Sequence, residues 1–196
     1  MTKISSLLDQ IAKEALRLGI DVDKDMHPGL SQEEQLEATR ALPFPLPMEI
    51  GELYSWKNGV RIEGQRSEIR IFPEFYFVPI DRCVSTTTTL ISLVERPENQ
   101  WNRAWLSIAD DLFGDHLAMN AITGERDFGR IFMLSYLSDP FPAFWSFEAM
   151  LVAILECYRA GAYFLDEDGF LEERTEISKT IYEELNHGLS PLVQDL

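Results

Sequence analysis

The chain has 196 residues, 45% of them hydrophobic and including 12 Phe and 4 Trp, which excludes a disordered segment and supplies enough apolar material for a buried core. Its 33 acidic residues outnumber 17 basic ones, and the formal net charge of −16 repels a phosphate backbone, so nucleic acid is not expected as a ligand. No stretch approaches the roughly 18–20 uninterrupted apolar residues of a membrane span, and MTKISSLLDQIAKEA lacks the apolar run of a signal peptide, so a cytoplasmic location away from membrane is expected.

In chain order, Ile4, Leu7, Leu8, Ile11, Ala15 and Leu18 form one stripe at helical spacing that Gly19 closes. Ser31-Gln32-Glu33-Glu34 is a capping box, in which serine and glutamate satisfy each other's free amides, and it opens a short helix to about Arg40. Pro43, Pro45 and Pro47 enforce an extended approach, with Pro47 expected at the first position of a helix that buries Ile50, Leu53 and Tyr54 and stops at Asn58-Gly59. Glu68–Phe72 alternates as a strand ahead of Pro73, and Tyr76–Val78 reads as a second short one. From Asp81 to Val94 the spacing of Cys83, Thr87, Leu90, Ile91 and Val94 predicts a helix, although four consecutive threonines favour a strand.

The centre of the chain is WLSIADDLFGDHLAMNAITG, residues 105–124: two alternating runs around a polar, Gly-bearing turn, predicting a hairpin with one face to a core and one to solvent. A third strand is expected from Phe128 to Leu134, and Ser138-Asp139-Pro140-Phe141-Pro142 is expected to break the sheet. Ser146 caps a helix with the stripe Phe147, Met150, Leu151, Ile154, Leu155 and Tyr158, a candidate cover for that sheet. Asp166-Glu167-Asp168-Gly169 is an acidic turn, and Ile177, Ile181 and Leu185 mark a last helix ended by Gly188. Helices, then a sheet, then helices make an α+β plan: a central antiparallel sheet with helices packed on it, in one domain over residues 1–196.

Signals for chemistry are sparse. The chain contains no GxGxxG, no GxxxxGK[ST] and no nucleophile elbow, so no nucleotide or other cofactor is expected. His27, His116 and His187 are scattered without HxxxH spacing, and Cys83 and Cys157 form no CxxC, so no metal site is expected and both thiols read as buried small hydrophobes. His116, Asp115 and Cys83 can be arranged on paper as base, orienting acid and thiol, but a histidine beside a turn aspartate and a cysteine on an apolar stripe are the far commoner structural pattern. The acidic turns do not fit a calcium loop, because Phe164 stands where an EF-hand needs its first carboxylate. Tyr54, Trp56, Phe75, Tyr76 and Phe77 read either as an aromatic recognition patch or, by default, as core packed against the sheet.

Leu46-Pro47, Ile50, Leu53-Tyr54, Asn58-Gly59, Phe72-Pro73, Val78-Pro79-Ile80, Trp105–Ala109, Gly114-Asp115 and Gly124, taken in that order, resemble the SUKH superfamily, the Smi and Knr related family of fungal cell-wall assembly regulators. The resemblance covers about residues 30–160, and residues 161–196 look like the acidic C-terminal extensions of bacterial members. It implies an α+β domain and a non-enzymatic, protein-binding role. Bacterial relatives are commonly immunity proteins that neutralise a secreted toxin, often a nuclease, and fungal ones are regulatory scaffolds.

Charge fits the first role, because an acidic inhibitor gains association rate toward a basic nuclease. Residues 1–98 hold 16 acids and 11 bases (net −5) and residues 99–196 hold 17 and 6 (net −11), so a basic partner is steered toward the second half. The expected contacts are Asp110, Asp111 and Asp115 in one turn and Asp166, Glu167, Asp168, Glu172 and Glu173 in the other. The alternatives are an intracellular regulatory scaffold that binds a host protein through the aromatic patch and, third, an unrecognised enzyme.

Overall fold

The computed structural model describes residues 2–61, 75–94, 101–135 and 138–189. The first helix, α1 (Lys3–Arg17), is capped by Thr2 and buries Ile4, Leu7, Leu8, Ile11 and Ala15, the stripe expected from spacing. A single turn, α2 (Val22–Asp25), leads into β1 (Met26–Pro28), and α3 (Gln32–Ala38) opens with both halves of the Ser31–Glu34 capping box formed. The next helix, α4 (Met48–Trp56), buries Ile50, Leu53 and Tyr54 as expected, but Pro47 is its N-cap and the first helical residue is Met48.

Asn58 and Gly59 do more than stop that helix. They lie in β2 (Lys57–Val60), which pairs antiparallel with β1. The Asn58 side-chain oxygen accepts from the Ile80 amide at 2.9 Å, and Gly59 has a φ of +76°. A Cβ at Gly59 would sit 2.3 Å from the Pro79 nitrogen, so the two chain segments can approach this closely only at a glycine.

Five strands form the central sheet: β3 (Tyr76–Phe77), β4 (Trp105–Asp110), β5 (His116–Asn120), β6 (Ile131–Ser135) and β7 (Ser138–Phe144), all antiparallel and in sequence order. The predicted strand at Glu68–Phe72 lies outside the described residues. Two expectations are corrected. The third strand begins at Ile131, after a turn-rich segment, and Ser138–Pro142 does not break the sheet but builds its last strand. Among the described residues β7 is an edge strand, where alternate amides face no neighbour, so prolines two apart at 140 and 142 can remove donors that the ladder does not use.

Neither face of β4 is left to solvent, contrary to the half-exposed hairpin expected from alternation: all six of its residues are buried. Leu106, Ala109, Leu117 and Met119 join the main core, while Trp105 and Ala118 meet Trp101 and Leu134 in a second cluster. The cover on that second side is α5 (Ile80–Ser92), through Leu90 and Ile91, with Val94 just beyond its end. The register of β4 slips between Ser107 and Ala109, and the Ser107 amide there is taken up by the Thr87 hydroxyl at 3.0 Å. Thr88 returns its own hydroxyl to the Val84 carbonyl at 2.9 Å, so the threonine run is accommodated in a helix, as spacing predicts.

After the sheet, α6 (Phe147–Arg159), capped by Ser146, buries all six residues of its predicted stripe in the main core. It runs beside α1 in the same direction, with Lys3 against Glu148 at 2.6 Å and Gln10 against Arg159 at 2.8 Å. A hairpin, β8 (Tyr163–Leu165) and β9 (Leu171–Glu173), and α7 (Thr175–Leu185) are the last of the described elements. Of the predicted stripe of α7, Ile181 packs against the core, whereas Ile177 and Leu185 are 36% and 41% exposed and the buried positions are Ser178 and Tyr182. Tyr182 is drawn inward by Tyr163, whose hydroxyl lies 2.6 Å from its own. Tyr163, Leu171 and Tyr182 belong to the same core as α1 and the sheet.

Candidate partner-binding surface

The β4–β5 turn is organised by two aspartates with separate tasks. Asp110 ends β4 almost fully buried, at 2% exposure, and its carboxylate receives Arg82 Nε at 2.9 Å, Arg82 Nη2 at 3.2 Å and the Leu112 amide at 3.1 Å. Asp111 Oδ1 accepts from three successive amides, those of Phe113, Gly114 and Asp115, at 2.8, 2.9 and 2.9 Å. The turn is thereby fixed around one oxygen, with Asp111 and Asp115 half-buried and Leu112, Phe113 and Gly114 exposed. Leu112 has a φ of +70°, the left-handed region that L side chains seldom adopt.

A second acidic turn joins β8 to β9. Asp166 Oδ1 accepts from the Asp168 and Phe170 amides at 3.0 and 2.8 Å, leaving Glu167 and Asp168 exposed at the tip. Glu172 is exposed and Glu173 half-buried, close enough to Tyr182 and Cys157 to add to the burial that raises both their pKa values. Arg174 lies over the Phe164 ring at 4.3 Å and donates to the Gly161 carbonyl, which ties this hairpin to the end of α6. The two turns stand on different sheets, one on the five-stranded meander and one on the two-stranded hairpin. Of the eight acidic residues singled out from sequence, Glu167, Asp168 and Glu172 are exposed, and Asp110 lies beneath its turn.

The thiol and imidazole of the paper triad lie in unlike surroundings. Cys83 is fully buried in the main core, and burial pushes its thiol up to about 12, which removes it as a nucleophile at neutral pH. His116 sits on the side of the sheet that α5 covers, with Nδ1 3.1 Å from the Ser107 hydroxyl and its ring edge-on to Trp101. Burial lowers its pKa against the opposing pull of Asp110, Asp111 and Asp115. Among the described residues, no three His, Cys, Asp or Glu side chains converge as a metal site.

Tyr54, Phe75, Tyr76 and Phe77 are buried, and Trp56 packs against the core, so these aromatics form no recognition patch. A groove of about 820 Å3 opens between α3, the proline segment and α4, lined by residues such as Leu36, Phe44, Leu46 and Met48 with no histidine or cysteine in its wall. Among the described residues, no helix is long and apolar enough to cross a membrane.

Sequence reasoning missed two features of this surface. Arg82 is 28 residues from Asp110 and carries no motif that pairs them. Phe113, inside a run read only for its turn chemistry, is 84% exposed, and a phenylalanine between two turn aspartates was the available signal.

No curated protein matches the sequence. The family model of the SMI1 / KNR4 family (SUKH-1) matches residues 29–153, a span that runs from the start of α3 through the whole five-stranded sheet into α6. With that span more than half of the chain, the protein belongs to the SMI1 / KNR4 family (SUKH-1).

Proposed function

We propose that the chain is a cytoplasmic, non-enzymatic protein-binding module, an immunity protein that binds and neutralises a basic, nuclease-type toxin. The observation that carries this reading is family membership joined to a net charge of −16. An acidic surface of fixed shape competes with the polyanionic substrate of a nuclease and speeds encounter with it. The partner contacts are assigned to Asp111, Asp115, Asp166, Glu167, Asp168, Glu172 and Glu173, with Asp110 acting from below to hold its turn. In this reading residues 1–196 work as one domain, with a core of about 30–160 and an acidic extension from 161 to 196. The scaffold alternative relied on the aromatic segment, and the burial of Tyr54, Phe75, Tyr76 and Phe77 means that such a role would need a different surface.

Co-expression with each neighbouring reading frame tests the proposal. One frame is expected to arrest growth alone, to be relieved by this chain, and to escape relief when Asp111, Asp115, Glu167 and Asp168 are all changed to lysine. Absence of a toxic neighbour, or relief that survives those changes, contradicts it.

A further inference from the structure

Phe113 is the most exposed of the large hydrophobic side chains among the described residues, at 84%, and Leu112 beside it is also exposed. A lone exposed apolar residue on a mobile loop carries little meaning. Here the backbone beneath is fixed by Asp111, and Asp110 holds both the Leu112 amide and the Arg82 guanidinium. Leu112 also occupies a left-handed conformation that glycine or asparagine would adopt with less strain. In the isolated protein, the exposure and the strained leucine are both unfavourable. A binding partner that receives the Leu112–Phe113 tip gains from burying its apolar side chains, and because the fixed turn presents them already oriented, little entropy remains to be lost.

Topology says what chemistry that partner has. The β4–β5 turn lies at the same end of the sheet as the end of β6 and the start of β7, since His116 pairs with Leu134 and Ser135 with Ser138. The start of α5 is tied to this end through Arg82 and Asp110. Asp111 and Asp115 flank the tip within the turn itself, Asp139 stands near the start of β7 at the same end of the sheet, and the guanidinium of Arg82 is paired with Asp110. An apolar tip in an acidic rim complements an apolar pocket with basic walls. A second copy of this chain, or an anionic lipid surface, is repelled by like charge.

We infer that the Leu112–Phe113 tip is the apolar anchor of the interface, inserted into a pocket of a basic partner protein whose positive rim meets the acidic β4–β5 turn that carries Asp111 and Asp115. This inference rests on the reading of the chain as a protein-binding module and adds which side chains hold the partner once charge has delivered it.

The test places benzoylphenylalanine at position 113 of the full-length chain and, as a control, at Met48, another strongly exposed apolar residue on a different part of the surface. After photolysis in the native cells, the attached protein is identified, purified and titrated with the wild type and with Phe113→Ala, Phe113→Ser and Met48→Ala. Attachment from position 113 and not from 48, to a protein of net positive charge, is expected. The affinity is expected to fall at least ~10-fold in both Phe113 variants at unchanged melting temperature, and less than ~2-fold in Met48→Ala. Attachment to a second copy or to lipid, no attachment at 113, or an affinity indifferent to Phe113 overturns the inference. If the attached basic protein proves harmless on expression while the Phe113 effect stands, the immunity reading fails and the anchor does not.

Discussion

The Arg82 guanidinium meets the Asp110 carboxylate through Nε at 2.9 Å and Nη2 at 3.2 Å, so the first turn of α5 is fastened to the last residue of β4. Arg82 is partly exposed while Asp110 is buried, which makes the arginine the solvent-side half of a pair whose other half has no water to fall back on. Arg82→Ala leaves that carboxylate without its compensating charge and is expected to cost about 2 kcal/mol of stability, below the usual range for a fully buried pair because the arginine is partly solvated. Urea unfolding of Arg82→Ala, Asp110→Asn and the double variant checks this. The double variant should be more stable than Arg82→Ala, because asparagine still accepts from the Leu112 amide and carries no charge.

His116 supplies a pH dependence. Burial lowers its pKa in the native state, whereas the unfolded chain titrates near 6.5, so between those values the unfolded state binds the extra proton. Stability is therefore full above pH 6.5, falls as pH drops toward the lowered native value, and is flat with respect to this group below it. Thermal melts across that window should lose the slope in His116→Gln, and an unchanged slope would assign it to other groups.

Gly59→Ala places a methyl group 2.3 Å from the Pro79 nitrogen and 2.5 Å from the Val78 carbonyl carbon, at a φ of +76°. Both contacts are backbone and cannot swing aside. The variant is expected to lose at least ~2 kcal/mol, read as a lower midpoint in denaturant at unchanged slope.

Burial pushes both Cys83 and Cys157 up to about 12. In the native protein at pH 8, neither thiol is expected to react with an aromatic disulfide reagent at more than a small fraction of the rate seen in denaturant. Rapid native labelling of Cys83 would contradict its place in the core.

Where the sequence signal is local, sequence and structure agree. The α1 stripe, the Ser31 capping box, the Ser146 cap and the α6 stripe each depend on side chains within a turn or two, and all are present. The disagreements arise where a distant partner decides. Pro140 and Pro142 break a sheet only if an outer neighbour needs their amides, and β7 has none among the described residues. The buried face of α7 is set by Tyr163, which takes Tyr182 inward and leaves Ile177 outside. β8 and β9 are three residues each, too short for an alternating pattern to register. The acidic turns were legible as turns. That Asp110 is buried was not, because the sheet that covers it and the arginine that neutralises it both come from elsewhere in the chain.

The most direct test of the central claim is the association rate of the purified chain with the basic partner protein that the proposed function expects, measured by stopped flow as ionic strength rises from about 0.05 to about 0.5 M. Steering by the acidic turns predicts that the rate falls at least ~10-fold across that range, and that lysine at Asp111, Asp115, Glu167 and Asp168 lowers it at low salt and flattens the dependence. A rate indifferent to salt and to those four changes would contradict an interface built on this charge.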